Sequence, residues 1–368
     1  MCRAICEAAG LYEADGPLNV WDYEVLAEAT LDEATLGYFA GGAADEHTLR
    51  DNRAAFDRWR LVPRVLVDVS SVQTETTVLG KEVAMPVLVS PVAYQRMAHP
   101  EGELAVARAS ASAETIMCLS TFATASPAQV AEAAPEGRRW FQLYWHPDRG
   151  VTKGIIDQAR DAGFEAVVLT LDLPVLGRRE RDLRAGFTLK PEYRLELYAT
   201  ASGNPGAVTP ASAAQLVDPR LTWRDLEWLR EAAGIPVIVK GILSPEDAAL
   251  ACDHGCAAVV VSNHGGRQLD RAIASLDALP GVVEAVDGRA EVLMDGGIRR
   301  GSDVAIALAL GARAVLIGRP VIWALAARGA DGVQHVLELL RDELALALAL
   351  LGCSEPAGVD RSQVVRSP

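Results

Sequence analysis

The sequence predicts an α/β fold, a (β/α)8 TIM barrel with an N-terminal helical extension and a long loop after the fourth strand. Three observations predict it. From about residue 84 onward, short apolar runs alternate with longer amphipathic stretches, as strand–helix repeats do. The runs are rich in Val, Ile and Leu with little polar alternation, which suits parallel strands buried on both faces. Within the barrel region the glycine-rich strand ends come late, at Gly296-Gly297 and Gly318. A doubly wound sheet would place its Gly-rich loop after the first strand, where this chain has Pro91-Val92-Ala93.

The predicted strands are Met85–Ser90, Thr115–Ser120, Trp140–Tyr144, Ala166–Leu171, Pro236–Lys240, Ala257–Ser262, Glu291–Asp295 and Ala314–Gly318. Between them the helical period recurs at Gly102–Ala113, Pro127–Ala134, Val151–Ala162, Pro245–Cys252 and Ser302–Leu310. Several of these begin at Ser, Asp or Pro and end near Gly. Ahead of the barrel, Trp21–Thr35 and Ala44–Phe56 read as helices. The chain therefore divides into an extension over residues 1–80 and the barrel over 81–368. Arg184–Leu221 has no clear period and is predicted as the long loop, a length usually reserved for lids or disordered segments.

Half the residues are hydrophobic but only 5% are aromatic, so aliphatic side chains must build the core. The net charge of −14, with no block of basic residues, argues against nucleic acid and anionic membranes as partners. The longest apolar runs, such as Leu344–Leu351, fall short of the ~18 residues that read as a membrane span. The six cysteines are scattered and the start lacks a leader-like apolar core. Reduced thiols and a cytoplasmic protein are expected. Cys2-x3-Cys6 and Cys252-x3-Cys256 have metal-like spacing but no completing pair, so no metal is expected.

Four clusters at predicted strand ends carry chemistry. Ser262-Asn263-His264-Gly265-Gly266-Arg267 follows the sixth strand. It puts an imidazole at the barrel mouth, glycines that admit a ligand close to the backbone, and a guanidinium suited to a carboxylate. After the fourth strand, Asp172 is placed to accept the other ring N–H of such a histidine, and Arg179 offers a second guanidinium. Lys240 ends the fifth strand, where it either snorkels to water or meets an anion. Asp295-Gly296-Gly297-Ile298-Arg299 and Gly318-Arg319-Pro320 follow the last two strands, where barrels commonly bind phosphate. Solvated loops, paired surface charges and ordinary turns are the plainer alternatives at each position.

Taken together, these stretches resemble the FMN-dependent 2-hydroxy-acid oxidase and dehydrogenase family from about Leu31 to the C-terminus. Further motifs carry the resemblance. They are Tyr38 with Gly41-Gly42-Ala43, Asp51-Asn52, Pro91-Val92-Ala93, His99-Pro100-Glu101-Gly102, Phe141-Gln142-Leu143-Tyr144, Leu176-Gly177-Arg178-Arg179-Glu180 and Val239-Lys240-Gly241. The resemblance implies FMN as cofactor and oxidation of an (S)-2-hydroxy acid to the 2-oxo acid. His264 would be the catalytic base, paired to Asp172, and Tyr144 would serve the substrate hydroxyl. Tyr38, Arg179 and Arg267 would hold the carboxylate.

The resemblance also assigns the flavin contacts. Pro91, Val92 and Ala93 would run past the flavin, with Ser120, Gln142 and Thr170 hydrogen-bonding its ring. Lys240 would lie against the ring's polar edge and Ser262 near the ribityl chain. Asp295, Gly297, Arg299, Gly318 and Arg319 would hold the ribityl and phosphate. Phe122 stands where glycolate oxidases of the family carry Trp, which points to larger or aromatic acids. Oxygen is the expected acceptor, giving hydrogen peroxide. The alternatives are a dehydrogenase that passes electrons to a quinone or carrier protein and, more remotely, an FMN-dependent isomerase on the same barrel. A homotetramer is the family expectation.

Overall fold

The computed structural model describes residues 16–190 and 217–367, together with Tyr193, Leu195 and Leu197. Three short strands come first: β1 (Trp59–Leu61), β2 (Thr76–Val78) and β3 (Lys81–Val83). The barrel strands are β4 (Val87–Val89), β5 (Ile116–Leu119), β6 (Arg138–Leu143), β7 (Val167–Thr170), β8 (Val237–Ile242), β9 (Ala258–Val261), β10 (Glu291–Asp295) and β11 (Ala314–Ile317). The last strand is β12 (Val364–Arg366). Strands β4 to β11 pair in parallel, each with the next, and β11 returns to β4 to close the barrel.

All eight predicted strands are present, and two of them extend beyond the predicted ranges. Strand β6 begins at Arg138, ahead of the apolar run, because Arg138 and Arg139 pair with Ile116 and Met117 at the wet amino end. There Arg138 meets Glu165 at 2.7 Å. Strand β8 runs on to Ile242 across a register shift between Lys240 and Ile242. Gly241 allows this at φ 104°, and a Cβ there would lie 2.7 Å from the Cβ of Asp172.

Strand period 2 decides what fills the barrel. Leu88, Cys118, Trp140, Val168, Ile238, Val260, Leu293 and Leu316 form one buried interior cluster, joined from the amino end by Val78 and Val83 of the β2–β3 hairpin. Two residues further along each strand lies the next inward layer. It reads Ser90, Ser120, Gln142, Thr170, Lys240, Ser262, Asp295 and Gly318, a ring of polar residues and one glycine at the carboxyl mouth. A polar layer above an apolar plug marks that end as the one built for a ligand.

The extension covers this mouth. Its helices are Val20–Thr30, Glu33–Ala40 and His47–Asp57. The expected single helix Trp21–Thr35 is broken because Asp32 takes an extended conformation and caps the second helix by accepting from Thr35 N. The third helix docks through reciprocal amide bonds between Asn52 and Asn263, 2.7 and 2.8 Å long, and through Thr48 N donating to Asp270. Strand β1 pairs antiparallel with β12, which ties the extension to the far end of the chain.

A short helix, Glu180–Arg184, ends where the Arg184–Leu221 loop begins. Most of residues 191–216, and the Cys2–Cys6 pair, lie outside the described residues. Cys118, Cys252, Cys256 and Cys353 are free thiols. Among the described residues, no helix is long and apolar enough to cross a membrane.

Candidate active site

One cleft at the carboxyl mouth is lined by residues from the loop after every barrel strand except β8, by Lys240 of β8, and by Tyr38 and Phe39 of the extension. It gathers His264, Tyr144, Tyr38, Arg179, Arg267 and Phe122 with Pro91, Val92, Ala93, Ser120, Gln142, Thr170, Lys240, Asp295, Gly297, Arg299, Gly318 and Arg319. Of the sequence-predicted residues, only Asp172 and Ser262 stand behind the wall.

Asp172 sits behind His264, with its Oδ1 2.9 Å from His264 Nδ1. A carboxylate there accepts the Nδ1 proton, which leaves Nε2 as the basic nitrogen. Burial pushes the imidazole below its ordinary pKa, Asp172 opposes the shift, and Lys240 and Arg179 add to it. The ring is therefore neutral near pH 7, the form that accepts a proton. Although burial works against the charge, His264 and then Lys240 hold the Asp172 carboxyl below the usual carboxylate range. His264 has a left-handed backbone at φ 59°, followed by Gly265 at 62° and Gly266 at 76°. This tight turn aims the side chain into the mouth, and a non-glycine residue held in that region is a strained position.

Ser262 is fully buried and does not line the cleft. Its hydroxyl accepts from His264 N at 3.0 Å and lies 2.8 Å from Lys240 Nζ. It supports the lysine and the histidine turn. Lys240 also pairs with Asp295 at 3.0 Å. Burial alone would lower the lysine pKa, but Asp295 and Asp172 outweigh it and raise the value, so the ammonium is kept. Ser120, Gln142 and Thr170 form a connected line. Gln142 Oε1 accepts from Ser120 Oγ and Thr121 N, and its Nε2 donates to Thr170 Oγ1 at 3.0 Å.

Four guanidiniums enter the cleft, and among the described residues none is paired with a carboxylate. Arg267 donates to the carbonyls of Tyr38 and Gly41 and lies 4.9 Å from the centre of the Tyr38 ring. Arg319 donates to the carbonyls of Phe39, Gly265 and Gly41. Arg179 reaches Gln268 Oε1 and the Arg267 carbonyl, and Arg299 reaches the Ile298 carbonyl. Burial, then Arg179, lowers Arg267 to about 10, and burial, then Arg267 and Arg299, lowers Arg319 to about 9. Asp182, a carboxylate in the same cleft, acts on Arg267 and Arg179 without ion-pair contact, and cations held this closely are costly. Such a site is built to receive anions from outside the chain.

The residues fit FMN. Arg299 and Arg319 stand with Gly297 and Gly318 at the ends of β10 and β11, a setting for a phosphate. Gly297 has φ 84°, and a Cβ there would meet the Asn52 carbonyl at 2.0 Å, so only glycine permits this turn under the extension helix. Asp295 Oδ1 is buried with no hydrogen-bond partner among the described residues, an acceptor that a ribityl hydroxyl would satisfy. The second pair of guanidiniums, Arg179 and Arg267, lies on the side of His264.

Sequence reasoning missed several lining residues. Ser90 belongs to the inward layer and was findable by counting two residues on from Leu88. Tyr94 lies in a loop at φ 57°, a left-handed turn with no sequence signal. Its ring centroid is 5.8 Å from that of Tyr38 and 6.3 Å from that of Phe122. Phe122 in turn stacks on Tyr144 at 4.9 Å. Leu173, Leu176 and Asp182 come from the loop after β7.

Comparison with known proteins agrees with this geometry. The family model described as FMN-dependent dehydrogenase matches residues 27–366. An L-lactate oxidase from Nostoc sp. is 52% identical, over 94% of this chain and 97% of its own length. The human 2-hydroxyacid oxidase 1 is 46% identical over 94% and 96%. A solved structure of mandelate oxidase with benzoyl-formic acid superposes with a TM-score of 0.86 at 43% identity, over 96% of this chain and 99% of that one. The closed parallel barrel, the anion-seeking mouth and a match along nearly the whole chain give one conclusion: this chain belongs to the FMN-dependent dehydrogenase family.

Proposed function

We propose that the protein oxidises an (S)-2-hydroxy acid to the 2-oxo acid, using FMN and passing the electrons to O2 to give hydrogen peroxide. The observation that carries this reading is the convergence of a neutral, Asp172-backed imidazole with two guanidiniums that have no carboxylate partner among the described residues.

Bound FMN supplies the two-electron sink. The chain does the rest. Arg179 and Arg267, with Tyr38, fix the carboxylate so that the carbon bearing the hydroxyl faces His264. His264 Nε2 takes the proton, and Asp172 stabilises the imidazolium that results. Tyr144 stands beside the pair with its hydroxyl pKa raised by burial, which makes it a neutral hydrogen-bonding group for the substrate oxygen. Ser90, Ser120, Gln142 and Thr170 offer hydrogen bonds to a flat heteroaromatic ring, and Lys240 a fixed positive charge. The aromatic wall of Phe122, Tyr94 and Tyr144 suits a substrate with an apolar side chain.

The relatives' names, lactate oxidase, 2-hydroxyacid oxidase and mandelate oxidase, support both the substrate class and oxygen as acceptor. A homotetramer goes with this reading as the family pattern, and the scattered cysteines support a reducing, cytoplasmic setting. The test is a panel of glycolate, lactate, mandelate and long-chain 2-hydroxy acids, with peroxide formed in air compared against dye reduction without oxygen. One peroxide per acid consumed supports the oxidase. Dye reduction with little peroxide would reassign the acceptor, and inertness toward every acid would overturn the reading.

A further inference from the structure

Glu103 is a fully buried carboxylate that the chemistry above does not use. It lies in the first turn of the helix Gly102–Ser112, away from the cleft lining. Burial raises its pKa, hydrogen bonds from Thr124 oppose this, and no cation figures among the groups that shift it. A buried acid without an ion pair is expensive to keep, so its contacts indicate its purpose.

Those contacts join two loops. Glu103 Oε1 accepts from Gln95 N at 3.2 Å and from Thr124 N at 2.8 Å, and Oε2 accepts from Thr124 Oγ1 at 2.5 Å. Gln95 follows the left-handed Tyr94 in the loop after β4, and its Nε2 donates to the Val92 carbonyl. Thr124 belongs to the loop after β5, two residues past Phe122. Two further bonds join these loops directly, Tyr94 N to the Phe122 carbonyl and Arg96 N to Thr124 Oγ1. The first loop brings Val92 and Tyr94 to the cleft, and the second brings Phe122.

We propose that Glu103 is a positioning residue for substrate selection. It clamps the β4 and β5 loops together and so sets the width of the wall that meets the substrate side chain, while the carboxylate anchors Arg179 and Arg267, on other elements, are untouched. The proposal rests on the oxidase reading above. Hydrogen-bond geometry matters here, and net charge does not. The amide of Glu103→Gln can accept from both N–H groups and donate to the Thr124 hydroxyl.

The experiment titrates the FMN-loaded protein with two unreactive acids, following the flavin absorbance. Oxalate probes the carboxylate anchors alone, and benzoylformate probes the anchors plus the wall. Losing buried hydrogen bonds at this clamp should weaken benzoylformate about tenfold in Glu103→Ala, with oxalate and FMN affinity unchanged. Glu103→Gln should restore the benzoylformate-to-oxalate ratio. If Glu103→Ala fails to fold, Thr124→Val, which removes one of the three bonds to Glu103 together with the Arg96 N bond between the same loops, is read by the same ratio and should shift it in the same direction. A purely structural role predicts a lower melting temperature with an unchanged ratio. An unchanged ratio in the variant that folds, or equal weakening of both acids, overturns the proposal. If the unaltered protein binds neither acid, the oxidase reading itself is what fails.

Discussion

Asp172 Oδ1 lies 2.9 Å from His264 Nδ1, and the aspartate stands behind the cleft wall while the histidine forms part of it. The carboxylate thus reaches the ring from the side opposite the cleft. In the proposed reaction it selects the tautomer and favours the protonated ring that proton abstraction produces.

This pairing sets a pH dependence. The His264 pKa lies below the ordinary histidine value, so activity that requires the free base falls as pH drops through that lowered value. The acid limb of kcat/KM should therefore lie below about pH 6.5. Asp172 raises the histidine pKa, so Asp172→Asn should move the limb further down. The maximal rate should fall by about 10²–10⁴, because the imidazolium loses its counter-charge. A pH–rate profile checks both signs, and a limb that moves up would contradict the pairing.

In the proposed reaction Arg267 holds the acid, whereas Arg299 would hold the cofactor phosphate. Removing a charged hydrogen-bond donor costs roughly 1.5–3 kcal/mol, which is about 10–100-fold in affinity. Arg267→Ala should raise the KM for the hydroxy acid by that factor with FMN affinity little changed. Arg299→Met should do the reverse. Flavin release on dilution, measured beside steady-state kinetics, separates them.

Phe122 forms part of the aromatic wall with Tyr94 and Tyr144. Phe122→Trp should crowd the wall and lower kcat/KM for a large apolar acid relative to glycolate, by about tenfold as for other small changes in apolar pockets. Competition between glycolate and mandelate reads the ratio directly.

Much of this was legible in the sequence, for physical reasons that differ between residues. The barrel strands announce themselves because both faces are buried, so their apolar runs are nearly continuous. The β6 start is hidden because Arg138 and Arg139 are strand residues at the wet end. The polar layer follows from period 2 once the strands are placed, which explains why Lys240, Asp295 and Gln142 were readable and why Ser90 could have been. Ser262 shares that layer, yet it serves Lys240 and the His264 backbone, a distinction that depends on side-chain direction. Tyr94 and Glu103 were invisible because they depend on a left-handed turn and on loops that meet only in the folded chain.

The most direct measurement mixes the FMN-loaded His264→Asn protein anaerobically with a 2-hydroxy acid that bleaches the unaltered enzyme. Asparagine tolerates the left-handed backbone that this position requires, so the turn should survive. The account predicts a yellow protein that still binds the acid but bleaches about 10²–10⁴ times more slowly. Rapid bleaching in that variant would contradict the assignment of His264 as the base.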